Sequence, residues 1–311
     1  MEDTARLARS LAASLGGAWT VRPLQASGFC STWHAAGRGE LFVKSLPLGS
    51  ADALEAEADG LRALGDAGAI RVPAVAGCWR DEVQGVALLA IEWLALRAPD
   101  AAFGARFGEA LGRLHAARRS DDRFGWHRDN RLGATPQRNG WSAEGGLAGW
   151  VAFFARERLG RMAQALAGEA AHAPLVAAVH ALATRLPCFF EDGHEPRPSL
   201  IHGDLWSGNW GVLADGTPVV YDPAVSCSDA EAELAMMELF GQPPSGFWAA
   251  YSGVAGLHEG YPRRRGLYQL YHLLNHTLLF GGGYARQALA LAQALLSGAR
   301  STGSSRGHPG R

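Results

Sequence analysis

Asp204, Asn209 and Asp222 have the types and spacing that phosphoryl transfer requires. Behind the apolar pair Leu200-Ile201, the run His202-Gly203-Asp204 with Asn209 beyond it makes an H-x-D-x-x-x-x-N frame. In such a frame the acid accepts a hydroxyl proton and the amide oxygen ligates a magnesium ion, while a second acid after the next strand holds the cation against nucleotide phosphates. Asp222 takes that last place. Between the two halves, Asp215-Gly216 separates two apolar runs, and Asp-Gly favours the positive dihedrals that close antiparallel strands. A hairpin is therefore expected to bring the three polar residues together. The plain alternative is a glycine-rich surface turn that happens to contain two acids and an amide; the order of the groups and the hairpin beside them speak against it. His202 is expected to bond the loop backbone rather than act as the base.

Upstream elements must supply the rest of such a site. Leu7, Leu11 and Leu15 recur every four residues, which predicts an amphipathic helix over residues 3–15 that stops at Gly16-Gly17. Residues 19–45 read as strands and tight turns. Lys44 ends the apolar run Leu41-Phe42-Val43, in the place of a strand lysine that contacts the inner phosphates of a nucleotide, although any strand can end in a solvated lysine. The Ala- and Leu-rich segment after Pro47 predicts a helix ending at Gly68. On it, Glu57 is the expected ion-pair partner of Lys44; Glu55 and Asp59 are alternatives that fall on other faces. Two further strands follow, and the second ends in Glu92-Trp93-Leu94, where backbone groups would pair with adenine.

Beyond Ala101 the pattern turns helical. Phe103, Phe107, Leu111 and Leu114 share a face, with His115 after them. The stretch from Phe124 to Trp141 is rich in Gly, Asn, Pro and Arg, which reads as a loop, and its length suggests one with a task. Trp150, Phe153, Phe154 and Leu159 predict a packed helix next, residues 174–190 another, and residues 228–241 a helix capped by Ser228 or Asp229 and closed by Gly241. Three more helical segments follow. Residues 301–311 read as a disordered tail.

Composition narrows the function classes. A chain of 311 residues that is 48% hydrophobic and 19% charged suits an ordinary globular protein with one large domain or two lobes. Its 29 Lys and Arg nearly balance 30 Asp and Glu, for a net charge of -1, so no global field favours nucleic acid or an anionic membrane. Cys30, Cys78, Cys188 and Cys227 form no C-x-x-C pair, which argues against a zinc site or a disulfide framework. No apolar run approaches 18 residues and the N-terminus begins with acids, so a cytoplasmic location is expected.

HGDLWSGN followed by D-P-A, the L-x-x-L-H at 111–115, the segment from FGWHRDN to FFARERL, and YQLYHLLNH with FGGGY together resemble the fructosamine kinase (ketosamine-3-kinase) family. The likeness runs in order from Val21 to about Leu296. It implies an α+β, protein-kinase-like two-lobed fold: residues 1–94 as a small lobe with an antiparallel sheet, and residues 95–300 as a larger, mainly helical lobe. It also implies ATP and Mg2+ as cofactors, Asp204 as the catalytic base, and Asn209 and Asp222 as metal ligands. Lys44, Glu57, Gly28, Cys30, Ser31, Glu92 and Leu94 would bind the nucleotide. The substrate implied is a small ketosamine or a glycated protein, phosphorylated on the sugar 3-hydroxyl and thereby deglycated, by a monomer or weak dimer with no nucleic acid or membrane partner. Trp206, Asn275 and His276 are candidate substrate residues, each with plain packing as the alternative. Cys30 is either redox-sensitive or an unreactive thiol. One departure stands out: Phe29 occupies a position where the family's phosphate loop is richer in glycine, so backbone cover of the phosphates would be weaker. A kinase acting on an aminoglycoside, choline or a homoserine-like hydroxyl, and an idle nucleotide-binding module, are the competing readings.

Overall fold

Regular spacing of apolar residues closes helices on either side of a small sheet. The computed structural model describes residues 2–24, 29–118 and 121–301. The chain begins with α1 (Glu2–Leu15), β1 (Thr20–Pro23), β2 (Ser31–Ala36), β3 (Glu40–Pro47), α2 (Ala51–Asp66), β4 (Val75–Asp81), β5 (Val86–Glu92), β6 (Leu96–Arg97) and α3 (Phe103–Ala116). Next come β7 (Asn130–Leu132), β8 (Thr135–Gln137), α4 (Gly146–Phe153), α5 (Arg161–Leu166), α6 (Ala173–Ala183) and β9 (Ser199–Ile201). The last elements are β10 (Trp210–Leu213), β11 (Pro218–Val220), β12 (Ser226–Ser228), α7 (Ala230–Met237), α8 (Phe247–Ala255), α9 (Tyr261–Phe280) and α10 (Gly283–Ser301).

These elements pack as two units. The first comprises Met1–Leu114, Gly208–Val225 and Pro244–Val254, and the second the remaining segments. In the first, β1, β2, β3, β5 and β4 pair antiparallel in that order. Leu7 and Leu11 of α1 pack with Trp33, Val43, Leu88 and Ala90, while α2 contacts β3, β4 and β5. Coverage of both faces explains why β5 is apolar almost throughout and does not alternate. Val43 belongs to the α1 side, so Lys44, the next residue on β3, faces the other way, toward α2. The same unit holds a sheet of order β11-β10-β6, with Phe103 and Phe107 of α3 5.3 and 5.5 Å from the Trp210 ring.

The second unit is mainly helical, with two small two-stranded sheets, β12-β9 and β7-β8. Three expectations need correction here. The loop expected over 124–141 contains the β7-β8 hairpin, which forms because Asn130 and Gln137, paired across it, bond side chain to side chain and Tyr271 donates to Gln137. The helix expected to run through 174–190 stops at Ala183 and resumes as a 3₁₀ turn over Leu186–Phe190, which has a proline in its first turn. The helix expected to reach Gly241 ends at Met237. Trp150, Phe153, Phe154 and Leu159 are buried, as their spacing predicts, but the helix widens to a π-helical turn over Phe154–Gly160. Ser301 still belongs to α10, and the rest of the expected tail lies outside the described residues.

Candidate active site

The β10-β11 hairpin assembles one part of the site. Trp210 pairs with Val220, and the Tyr221 N–H donates to the Asn209 carbonyl at 3.0 Å. Asn209, one residue before β10, therefore lies beside the segment that carries Asp222. Gly216 closes the turn at φ 89°, where an L side chain is disfavoured. Asp222 itself sits at φ 60°, the one non-glycine residue with positive φ among those described. Such a conformation costs on the order of 1–3 kcal/mol and persists where surroundings enforce it, often at functional sites.

Lys44 joins this hairpin to α2. Its Nζ lies 2.8 Å from Glu57 Oε1 and 2.7 Å from Asp222 Oδ1. The Lys44 side chain is 8% exposed, Glu57 14% and Asp222 45%, so the ammonium is enclosed while one carboxylate reaches solvent. Burial alone would push the Lys44 pKa down, but the charges of Glu57 and Asp222 outweigh it and hold the group protonated. Burial, with Asp222 nearby, pushes the Glu57 carboxyl above its ordinary range despite the attraction of Lys44. Gly60, one turn beyond Glu57, allows the close approach of α2: a Cβ there would lie 3.2 Å from Pro223 and Val225. Glu55 is turned away and pairs with Arg80 at 2.8 Å.

At the end of β5 the Glu92 N–H donates to the Ala74 carbonyl and the Trp93 N–H to that of Glu40. The Glu92 carboxylate accepts from Arg71 Nη2, with Oε1 at 2.6 Å, and from the Ala74 N–H. The N–H of Leu94, two residues on from Glu92, makes no backbone hydrogen bond among the described residues. Phe29 and Cys30 are half-buried and Ser31 is exposed at the start of β2. Gly28 lies outside the described residues.

The second unit carries the loop with Asp204. β9 ends at Ile201 and pairs with β12. His202 is fully buried, and its Nδ1 accepts the Asp204 N–H at 3.3 Å, the backbone role expected for it. Sequence reasoning overlooked what holds this loop. Glu233 of α7 accepts the N–H of His202 at 3.0 Å and that of Gly203 at 2.7 Å, and its Oε2 meets His115 Nε2 at 2.9 Å. Glu233 and His115 are buried. Burial pushes the Glu233 pKa up, but the His115 hydrogen bond, the two histidines and the loop N–H outweigh it and hold the carboxyl below its usual range. From sequence Glu233 reads as a first-turn acid stabilised by the helix dipole; the available signal was that α7 has apolar residues on every side, leaving its acids little water.

Trp206 is 40% exposed. Asn275 is buried, and its Oδ1 has no hydrogen-bond partner among the described residues. His276 is half-buried, its Nδ1 2.8 Å from the His272 carbonyl oxygen and its ring 4.8 Å from Phe240 and 5.0 Å from Tyr284. Burial pushes the Tyr271 hydroxyl up to about 12, with Arg158 pulling it down and the nearby Asp204 charge adding to the rise.

A family model described as Fructosamine kinase matches residues 20–298. The chain belongs to the fructosamine kinase family. It is 39% identical over 252 residues to a probable ketoamine kinase of Synechocystis, covering 81% of each chain. A solved structure of a putative fructosamine-3-kinase from Thermobifida fusca aligns with TM-score 0.79 at 32% identity, over 94% of this chain and 98% of the other. Choline kinase LicA from Streptococcus pneumoniae, at 14% identity, aligns with TM-score 0.61 over 96% of this chain and all of the other. The fold is therefore protein-kinase-like, and membership of the fructosamine kinases makes the protein a phosphotransferase. Among the described residues no helix is long and apolar enough to cross a membrane.

Proposed function

We propose that the protein phosphorylates the 3-hydroxyl of the sugar in a ketosamine, with ATP as donor and Mg2+ as cofactor. The observation that carries this reading is the buried Lys44 held by Glu57 and Asp222 in a chain matched to the family over 20–298. Asn209 and Asp222 offer an amide and a carboxylate oxygen, hard donors of the kind magnesium takes, and the Asp222 carboxylate is open to solvent on one side. Bound there, the cation would neutralise charge on the phosphates. Lys44, kept protonated by its two acids, is suited to the inner phosphates. Residues 1–94 would serve as the nucleotide lobe, with Leu94 and the backbone at Glu92 against adenine and the loop through Gly28, Cys30 and Ser31 over the phosphates. Residues 95–300 would hold the acceptor.

Asp204 would orient the acceptor hydroxyl and take its proton as the oxygen attacks. Trp206, Asn275 and His276 are the proposed contacts to the sugar. The product carries phosphate on the carbon next to the ketone. Once its C1–C2 enol forms, electrons from that double bond expel the phosphate, and the iminium left at C1 hydrolyses to free the amine. Deglycation then needs no separate hydrolase. Small ketosamines and glycated proteins share this chemistry, and the reaction is assigned to the cytoplasm.

Coupling ADP release to a spectroscopic signal across ketosamines, an aminoglycoside and choline tests the reading. Turnover restricted to the ketosamines is expected. Turnover of choline or the aminoglycoside instead, or none with any acceptor, overturns it.

A further inference from the structure

A cavity of about 320 Å³ lies in the first unit, away from Lys44 and Asp222, and none of the roles above uses it. Arg71, Arg106, Glu109, Ala110 and Arg113 line it together with the β10-β11 turn at Asp215–Pro218. Residues 106, 109, 110 and 113 recur at helical spacing on one face of α3, so two of the three arginines come from that face and the third from the link between α2 and β4. The volume is at the lower end of the range for small-molecule sites, roughly 300–1,000 Å³.

The three arginines differ in how firmly they are held. Arg106 donates from Nε to the Gly216 carbonyl at 2.8 Å and from Nη2 to Asp100. Arg71 clasps Glu92. Arg113 is 55% exposed, and its Nη1 lies 3.7 Å from Glu109, too far for a hydrogen bond. Guanidinium groups present planar forks that match oxyanions; Arg113 offers one directly, while the forks of Arg106 and Arg71, engaged by Asp100 and Glu92, would reach the other terminal oxygens of a phosphate monoester by exchanging those carboxylates for it. Glu109 and Asp215, both exposed, would repel a long polyanion. We infer that this cavity binds a small phosphate monoester and that the bound anion alters nucleotide use.

Arg71 supplies the route. Its carbonyl accepts the Val220 N–H at 3.0 Å, two residues before Asp222, and its side chain clasps Glu92 at the end of β5. An oxyanion that draws the guanidinium into the cavity competes with Glu92. Both strand ends that frame the proposed nucleotide site are then loosened or re-seated, and by reciprocity the nucleotide changes the affinity for the anion.

The probe is glycerol phosphate on the full chain, with chloride at equal ionic strength as control. A non-hydrolysable ATP analogue at saturation keeps the probe out of the nucleotide site. Under those conditions the melting temperature is expected to rise with glycerol phosphate and not with chloride, and the rise should disappear in Arg113→Ala, a surface substitution outside the proposed machinery. In turnover assays the KM for ATP should change by about fivefold in wild type, a modest coupling, and stay constant in Arg113→Ala. An equal melting response in wild type and Arg113→Ala, an equal response to chloride, or no response in wild type overturns the inference. The melting arm requires no acceptor, so its failure is separable from that of the ketosamine reading.

Discussion

Asp222 is held in a left-handed conformation that its own side chain disfavours, and Lys44 and the β10-β11 hairpin hold it there. This makes a test of strain possible. Asp222→Ala and Asp222→Gly both delete the Lys44 contact, so the difference between them isolates the backbone. The glycine variant should be more stable than the alanine variant by about 1 kcal/mol, read from urea midpoints. Equal midpoints would mean the backbone relaxes once the carboxylate is gone. In calorimetric titrations Asp222→Ala should weaken Mg-nucleotide binding far more than binding of the metal-free nucleotide, because the carboxylate is proposed to act through the cation. For Asp204→Ala, turnover should fall by roughly 10²-fold or more while nucleotide affinity is unchanged, the range for a positioned base. Near-normal turnover would remove Asp204 from the mechanism.

Elements decide whether these residues are presented. The H-x-D-x-x-x-x-N frame, the Asp-Gly hairpin and the strand lysine are legible because each is a local pattern with a local cause. Glu233 is not legible: two acids in a first turn look alike whether a dipole or a buried loop claims them, and only the pairing of β9 with β12 brings His202 and Gly203 to Glu233. The β7-β8 hairpin escaped for a similar reason, since its Asn130–Gln137 pair is braced by Tyr271, which arrives from α9, far along the chain. Glu233→Gln keeps an acceptor oxygen but removes the charge facing His115. It should lower kcat by about tenfold or more with the KM for ATP unchanged, since misplacing a reacting group is costly in rate. A change confined to stability would make Glu233 structural only. His194 offers a second test on α7. Its Nε2 is 2.9 Å from Asp229 and its Nδ1 3.7 Å from Glu231, with the His258 ring and Arg264 also close. Burial pulls its pKa down, but Asp229 and Glu231 outweigh that and Arg264, and the net shift is upward. A raised folded pKa means stability fully present below the ordinary value of about 6.5 and lost as pH climbs through the folded value. The stability difference between wild type and His194→Gln should therefore shrink as pH rises above about 6.5, and a constant difference would show that His194 does not titrate there.

At the scale of the molecule, the first unit is assembled from three separate stretches of chain, and this governs how it folds. Phe103 and Phe107 are fully buried; their rings lie 5.3 and 5.5 Å from that of Trp210, and Phe107 lies 5.5 Å from Phe247. Trp210 and Phe247 arrive from segments 208–225 and 244–254. Gly104 and Gly108 on α3 admit backbone from the latter segment so closely that a Cβ would meet the Ser245 and Phe247 carbonyl oxygens at 2.1 and 2.3 Å. A fragment ending at Leu114 keeps every strand of the five-stranded sheet, yet loses this cover. If half the burial of both phenylalanines is lost, roughly 200 Å² is exposed, or about 5 kcal/mol at 25 cal/mol/Å². That is comparable to the whole stability of a typical domain, about 5–15 kcal/mol. The fragment 1–114 should therefore lack a cooperative thermal transition and bind a hydrophobic dye, whereas a single chain joining 1–114, 208–225 and 244–254 by flexible linkers should melt cooperatively. A cooperative transition in 1–114 alone would show that its sheet with α1, α2 and most of α3 forms a sufficient core and that the later segments dock on a finished unit.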